Sequence, residues 1–187
     1  MYNIHAYLKS KFSVNKMGRW FRENIRNRYD RLRLRNKNFS IICSNCIGGV
    51  MYHDLGLKFM SPTVNLYIPT NSFIKFVERL PFYLEQEMIF IDNHKFTYPF
   101  AMLYDIPIHF MHYKTEEEAL AKWAERKERI NFGNLFIIMT DRDSCLPDTR
   151  KRFDALDYKN KICFTANEYP DFKNAFYLSE YKDDGEV

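Results

Sequence analysis

Nowhere do the 187 residues contain an apolar run near the ~18 residues that a membrane-spanning helix needs. The opening MYNIHAYLKSKF is interrupted too often by polar residues for a signal-peptide core, so a cytoplasmic chain is expected. Glycine (6) and proline (7) are scarce, which argues against low complexity and disorder. Cysteine is limited to four residues, and in the expected compartment these are reduced thiols rather than a disulfide frame. No internal repeat is visible. The length fits one domain plus an extension and leaves little room for two full cores.

Apolar and aromatic residues are abundant. Hydrophobic residues make up 46% and aromatics 17%, with 17 Phe and 13 Tyr, enough to build a buried core. Charge is unevenly spread. Residues 1–38 hold 11 Lys and Arg against 2 Asp and Glu, a net of +9, while residues 39–187 hold 17 against 22, a net of −5. The division suggests a basic helical extension, 1–38, ahead of an α/β domain, 39–187.

Within the extension, Trp20 to Leu34 has helical spacing. Phe21, Ile25, Tyr29 and Leu32 form one stripe, and Arg22, Arg26, Arg28, Arg31, Arg33 and Arg35 surround it. The plainest expectation is a helix docked on its own domain with its arginines in water. The alternative is contact with an anionic membrane surface or a partner, which would place the protein at the inner face of the cell membrane. Nucleic acid is not expected. Residues 31–38 read as a linker.

Short apolar runs then alternate with helices. FSIIC ends at a polar turn and two glycines, and a helix is expected from Ile47 to Leu55. VNLYI (64–68), MIFI (88–91), DIPIHFMHY (105–113), NLFIIMT (134–140) and KICFTA (161–166) read as strands, with Pro107 marking an edge. Thr70 or Asn71 should cap a helix through Leu80 or Leu84, with Phe73, Phe76, Val77 and Leu80 inward. TEEEALAKWAERKERI is the clearest helix: Thr115 caps it, Glu118 completes a capping box, and Leu120, Trp123 and Ile130 should face the core. Asp148 to Leu156 is a short helix, and the tail KDDGEV should fray. The pattern predicts a three-layer α/β fold, a mostly parallel sheet with helices on both faces. Ligands in such sheets bind beyond the carboxyl ends of the strands, which points to the loops after FSIIC, NLFIIMT and KICFTA.

An ordered series of segments carries a family resemblance: FSIICSNCIGGVMYHDLGLKFMSPTVNLYI, IHFMHYKTEEEALAKWAERKERIN, NLFIIMTDRDSC and KRFDALDYKNKICFTANEYPD. Together, from about Phe39 to Tyr177, they resemble the bacterial exopolysaccharide-biosynthesis family known as domain of unknown function 1919. The resemblance implies an α/β fold and a role in exopolysaccharide or capsule assembly, without naming a reaction. The family's first turn often reads Ser-Asn-Asn-Cys, then an aromatic and two glycines. Asn45, Cys46, Gly48 and Gly49 fit that pattern, whereas Cys43, Ser44 and Ile47 depart from it.

Several residues are candidates for chemistry. Asp141 and Asp143, two carboxylates one residue apart after a buried strand, could hold Mn²⁺ or Mg²⁺ and through it a sugar-nucleotide diphosphate. Against this, aspartates routinely cap turns. The turn with Asn45, Gly48 and Gly49 could offer backbone N–H groups to a phosphate, or could simply be a capped turn. Cys46 could be a nucleophile if a histidine reached it, though a small buried thiol is the commoner state. His109 or His112 could act as a base, or be a satisfied structural imidazole. A zinc site from Cys43, Cys46, His109 and His112 fits poorly, because the two histidines would point to opposite strand faces. Asn167, Glu168 and Tyr169 follow the last strand and either line the same crevice or form a polar turn. The expected function is a cytoplasmic protein of exopolysaccharide or capsular polysaccharide synthesis, which could transfer a glycosyl or other group from an activated sugar donor. The alternative is a non-catalytic module that binds glycan or an assembly partner.

Overall fold

The computed structural model describes residues 16–143 and 145–187. The first 15 residues of the expected extension, and Ser144, lie outside the described residues. The chain divides into two compact units, one of residues up to 37 with 50–58, the other of 38–49 with 59–187.

In the first unit, α1 (Lys16–Phe21), a π-helical turn (Arg22–Arg26) and α2 (Asn27–Arg33) run on as one helix. Leu34 turns extended and ends it, so the irregular stretch starts at 34 rather than 31. The second half of α3 (Ile47–Leu55) completes this unit. Within this unit the helix is held by its polar edge. Phe21, Ile25, Tyr29 and Leu32 are exposed. Buried Asn27 donates from Nδ2 to Asp54 Oδ1 at 3.2 Å. Arg31 donates to the carbonyls of Asp54 at 2.8 Å and His53 at 3.2 Å, at the open C-terminal end of α3. Gly56 turns the chain there with a φ of 65°, and an added Cβ would lie 3.0 Å from Arg31 Nε.

In the second unit, β1 (Ser40–Cys43) lies parallel to a later strand, with Ser40 opposite Leu135. After α4 (Thr70–Glu78) and α5 (Leu80–Leu84) come β2 (Met88–Phe90), β3 (Phe100–Leu103) and β4 (Ile106–His109). Then follow α6 (Glu116–Lys127), β5 (Leu135–Thr140), α7 (Pro147–Ala155), β6 (Asn160–Thr165) and β7 (Ala175–Tyr177). The fold is mixed α/β. β1, β5, β6 and β7 form a parallel sheet in that order. All four residues of β1 are buried, as a strand covered on both faces requires.

A second sheet was not anticipated. β2, β3 and β4 form an antiparallel meander, with Met102 opposite Pro107. Pro107 does stand on an edge strand. The strand expected to reach residue 113 stops at His109: Phe110 N–H still reaches the Pro99 carbonyl, but Pro99 has no N–H to return, and Tyr113 N–H then closes a turn on Phe110. VNLYI is not a strand. Asn65 has a φ of 62°, which breaks the extension, and Tyr67 alone bridges to His109. Helix 70–84 is interrupted at Arg79, next to Pro81 at the start of α5. Pro69, not Thr70 or Asn71, stands at the α4 N-cap position, with no side-chain cap bond.

The core gathers α4, α6 and both sheets. Phe73, Phe76, Val77 and Leu80 are buried as their spacing implies, and the Phe76 and Trp123 rings lie 6.3 Å apart. Thr115 caps α6 through a 3.2 Å bond from Glu118 N–H, and Glu118 reaches back to Lys114 N–H. Leu120 is exposed, against expectation. The tail does not fray: a 3₁₀ turn at Ser179–Tyr181 returns it to the parallel sheet.

Candidate functional site

The carboxyl ends of β1, β5 and β6 converge, because these strands are parallel neighbours. Asn45, just past β1, donates from Nδ2 to Thr140 Oγ1 at 3.3 Å. Asp141, the next residue after β5, accepts from Ala166 N–H at 2.8 Å, past the end of β6. Its other oxygen accepts from Val187 N–H at 3.1 Å. At the same rim, Ser44 Oγ and Thr165 Oγ1 are buried with no hydrogen-bond partner among the described residues.

Beside Asp141 lies a cavity of about 420 Å³, within the range of small-molecule sites. Asp141, Cys145, Leu146, Pro147, Asn167 and Tyr169 line it from the strand ends and the start of α7, and Asp184, Gly185 and Glu186 close it from the tail. Asn167 Nδ2 holds the tail through the Gly185 carbonyl at 3.0 Å. Arg150 stacks 4.1 Å from the Tyr169 ring centre and donates to the Cys145 carbonyl at 2.7 Å. Burial pushes the Asp141 carboxyl above its usual range, against the opposing pull of the Ala166 and Val187 N–H groups.

Cys145 is a cavity residue that sequence reasoning passed over. The neighbouring Cys163 thiol holds its pKa below the usual thiol value, with Arg150 acting the same way and burial opposing. Burial pushes Cys163 well above that value. No motif announces Cys145, since its partner stands eighteen residues on, in the middle of β6.

The other expected residues do not line this cavity. Asp143 has a φ of 58°, takes a hydrogen bond from the Tyr67 hydroxyl, and donates its N–H to Glu186 at 3.2 Å. Among the described residues, no group of three or more His, Cys, Asp or Glu is arranged to hold a metal. Gly48 and Gly49 are packed rather than open: a Cβ on Gly49 would meet Asn65 Oδ1 at 2.8 Å, and one on Gly48 would meet Cys43 Cβ at 3.0 Å. Asn45 Oδ1 accepts from Ile47 N–H at 3.1 Å and so caps the turn. Burial raises the Cys46 thiol, with Arg142 opposing, and its sulfur faces the Leu66 carbonyl at 3.9 Å.

His109 sits among aromatic rings, 4.9 Å from both Phe96 and Phe100, with Nδ1 at 3.3 Å from the Tyr98 hydroxyl. Burial holds its pKa below the ordinary value near 6.5. Tyr67 touches both His109 and Asp143, so these two candidates share a neighbour. His112 is exposed in the turn after β4 and joins none of them. All four cysteines are free.

The fold and rim define an α/β protein with a cavity at the carboxyl edge of its parallel sheet. The chain belongs to the family described as Domain of unknown function (DUF1919), whose model matches residues 17–187. That match takes in the helix before residue 38 and the tail, and so exceeds the 39–177 span expected. The chain is also similar to an uncharacterized protein of Haemophilus influenzae, 40% identical over 184 residues, covering 98% of this chain and 87% of that protein. No helix among the described residues is long and apolar enough to cross a membrane.

Proposed function

We propose that this chain works in exopolysaccharide or capsular polysaccharide biosynthesis and that its rim cavity receives a sugar unit of a glycan. One observation supports the ligand class: carboxylates, the Asn167 amide and the Tyr169 ring surround a space of about 420 Å³. Carboxylates and amides pair with hydroxyl groups, and an aromatic face covers the apolar side of a sugar ring. A bare diphosphate suits the lining less well, because Asp141, Asp184 and Glu186 would repel it without a cation.

The transferase form of the reading places an activated sugar donor here, with Mn²⁺ or Mg²⁺ at Asp141 and Asp143. The non-catalytic form needs glycan binding alone. Both Asp141 oxygens already accept backbone N–H groups, and this favours the binding form.

Calorimetric titration with free sugars, oligosaccharides and nucleotide sugars, each with and without Mn²⁺, tests the reading. Saturable binding of sugars or oligosaccharides, weakened at least about tenfold by Tyr169→Ala or Asn167→Ala, is expected. No binding by any of them overturns it. Binding of nucleotide sugars that requires Mn²⁺ and is lost in Asp143→Asn restores the transferase form.

A further inference from the structure

The helix of residues 16–33 buries its polar edge and leaves its apolar edge in water. Trp20 is 58% and Leu32 87% exposed, and Phe21, Ile25 and Tyr29 stand between them, also exposed. On the other edge Asn27 and Asp30 are buried, tied to Asp54 and Arg26. A helix that serves only its own core is arranged the opposite way.

The π-helical turn gives the exposed stripe its shape. Residues four apart drift around an ordinary α-helix, since a turn takes 3.6 residues. The turn at Arg22–Arg26 has i→i+5 geometry and takes more residues per turn. It therefore turns Ile25, Tyr29 and Leu32 back toward the sector spanned by Trp20 and Phe21, so that the five share one broad face.

We propose that this strip lies on an anionic phospholipid surface, with its apolar side chains at the boundary between headgroups and acyl chains. Charge selects this occupant. Arg28 and Arg33 border the strip, and Arg19, Arg35 and Lys37 are exposed nearby. Residues 1–38 carry a net charge of +9, while the rest of the chain carries −5. A second copy docking here would bring the same cations face to face. An anionic bilayer attracts them instead, and Trp and Tyr rings are suited to the headgroup level. The inference does not depend on the sugar reading, and either can fail alone.

The test uses the full chain with vesicles of phosphatidylglycerol and phosphatidylcholine, against vesicles of phosphatidylcholine alone. The chain has two tryptophans, and Trp123 is buried, so an emission change on binding reports Trp20. Co-sedimentation with the anionic vesicles, a blue shift and release by high salt are expected. Ile25→Glu with Leu32→Glu should lower partitioning at least about tenfold with the circular dichroism unchanged, since both side chains are exposed. Arg28→Glu with Arg33→Glu should weaken the salt-sensitive part. Wild-type protein that stays in the supernatant overturns the proposal. So does equal sedimentation of the Ile25→Glu and Leu32→Glu variant, or a vesicle-indifferent dimer that this variant abolishes.

Discussion

Asp141 accepts the backbone N–H of Ala166 at 2.8 Å, and this bond ties the end of β5 to the segment leaving β6. With the second bond, from Val187, the carboxylate fastens the tail to the sheet rim as well. Asp141→Asn presents an N–H₂ donor to one of these two N–H groups. The lost bond and the donor left facing it should cost about 1–3 kcal/mol. Each kcal/mol lowers the melting midpoint by roughly 2–4 °C for a chain of this size. The loss should be the same with and without Mn²⁺ in a thermal scan. A drop that appears only when Mn²⁺ is present would assign the carboxylate to a metal instead.

His109 gives an acid-side prediction. Its folded pKa lies below the ordinary value near 6.5, because its ring is buried. The unfolded chain therefore takes up the proton first as pH falls, and stability declines from about pH 6.5 down to the folded pKa. Denaturant midpoints measured between pH 8 and pH 5 should fall across that window. His109→Gln should flatten that part of the profile; an unchanged slope would place its origin elsewhere.

The thiols should separate by pH. Cys145 is held below the usual thiol value by Cys163 and Arg150, while burial raises Cys46 and Cys163. Alkylation followed by peptide mass spectrometry should show Cys145 reaching half its plateau at a lower pH than Cys46. A sugar in the cavity should slow labelling of Cys145 and leave Cys46 unaffected, because only Cys145 lines that space.

An added methyl group at Gly49 should destabilise the fold. A Cβ there would meet Asn65 Oδ1 at 2.8 Å and Val64 Cγ1 at 3.0 Å. Overpacking costs about 1–3 kcal/mol, and the gain in helix propensity over glycine offsets about 1. Gly49→Ala should therefore lose up to about 2 kcal/mol in urea unfolding. Were the glycine present only for phosphate approach, stability would rise.

The parts of the fold that were readable in the sequence carry strong local signals. β1, β5 and β6 are short continuous apolar runs, and the Thr115–Glu118 box marks the start of α6. Their parallel order places three loops at one rim, and Asn167 and Tyr169 were within sight of it. β3 and β7 were not seen, because four and three residues are too few to show a period. VNLYI has a strand's composition, but one left-handed asparagine cancels it. The tail lacks any apolar pattern; hydrogen bonds to residues eighteen to forty-six positions earlier fix it in place. The helix stripe was legible, but its direction was not, since Asn27 and Asp54 meet only in three dimensions.

The pairing of Ser40 with Leu135 has a consequence for synthesis on the ribosome. β1 emerges early, yet its strand partner among the described residues is encoded ninety-five positions later. At about 5–20 residues per second, the nascent chain waits roughly 5–20 s before that ladder can close. During that interval Ile41 and Ile42, fully covered in the finished protein, have no partner strand, which makes this stretch a natural client for a holding chaperone.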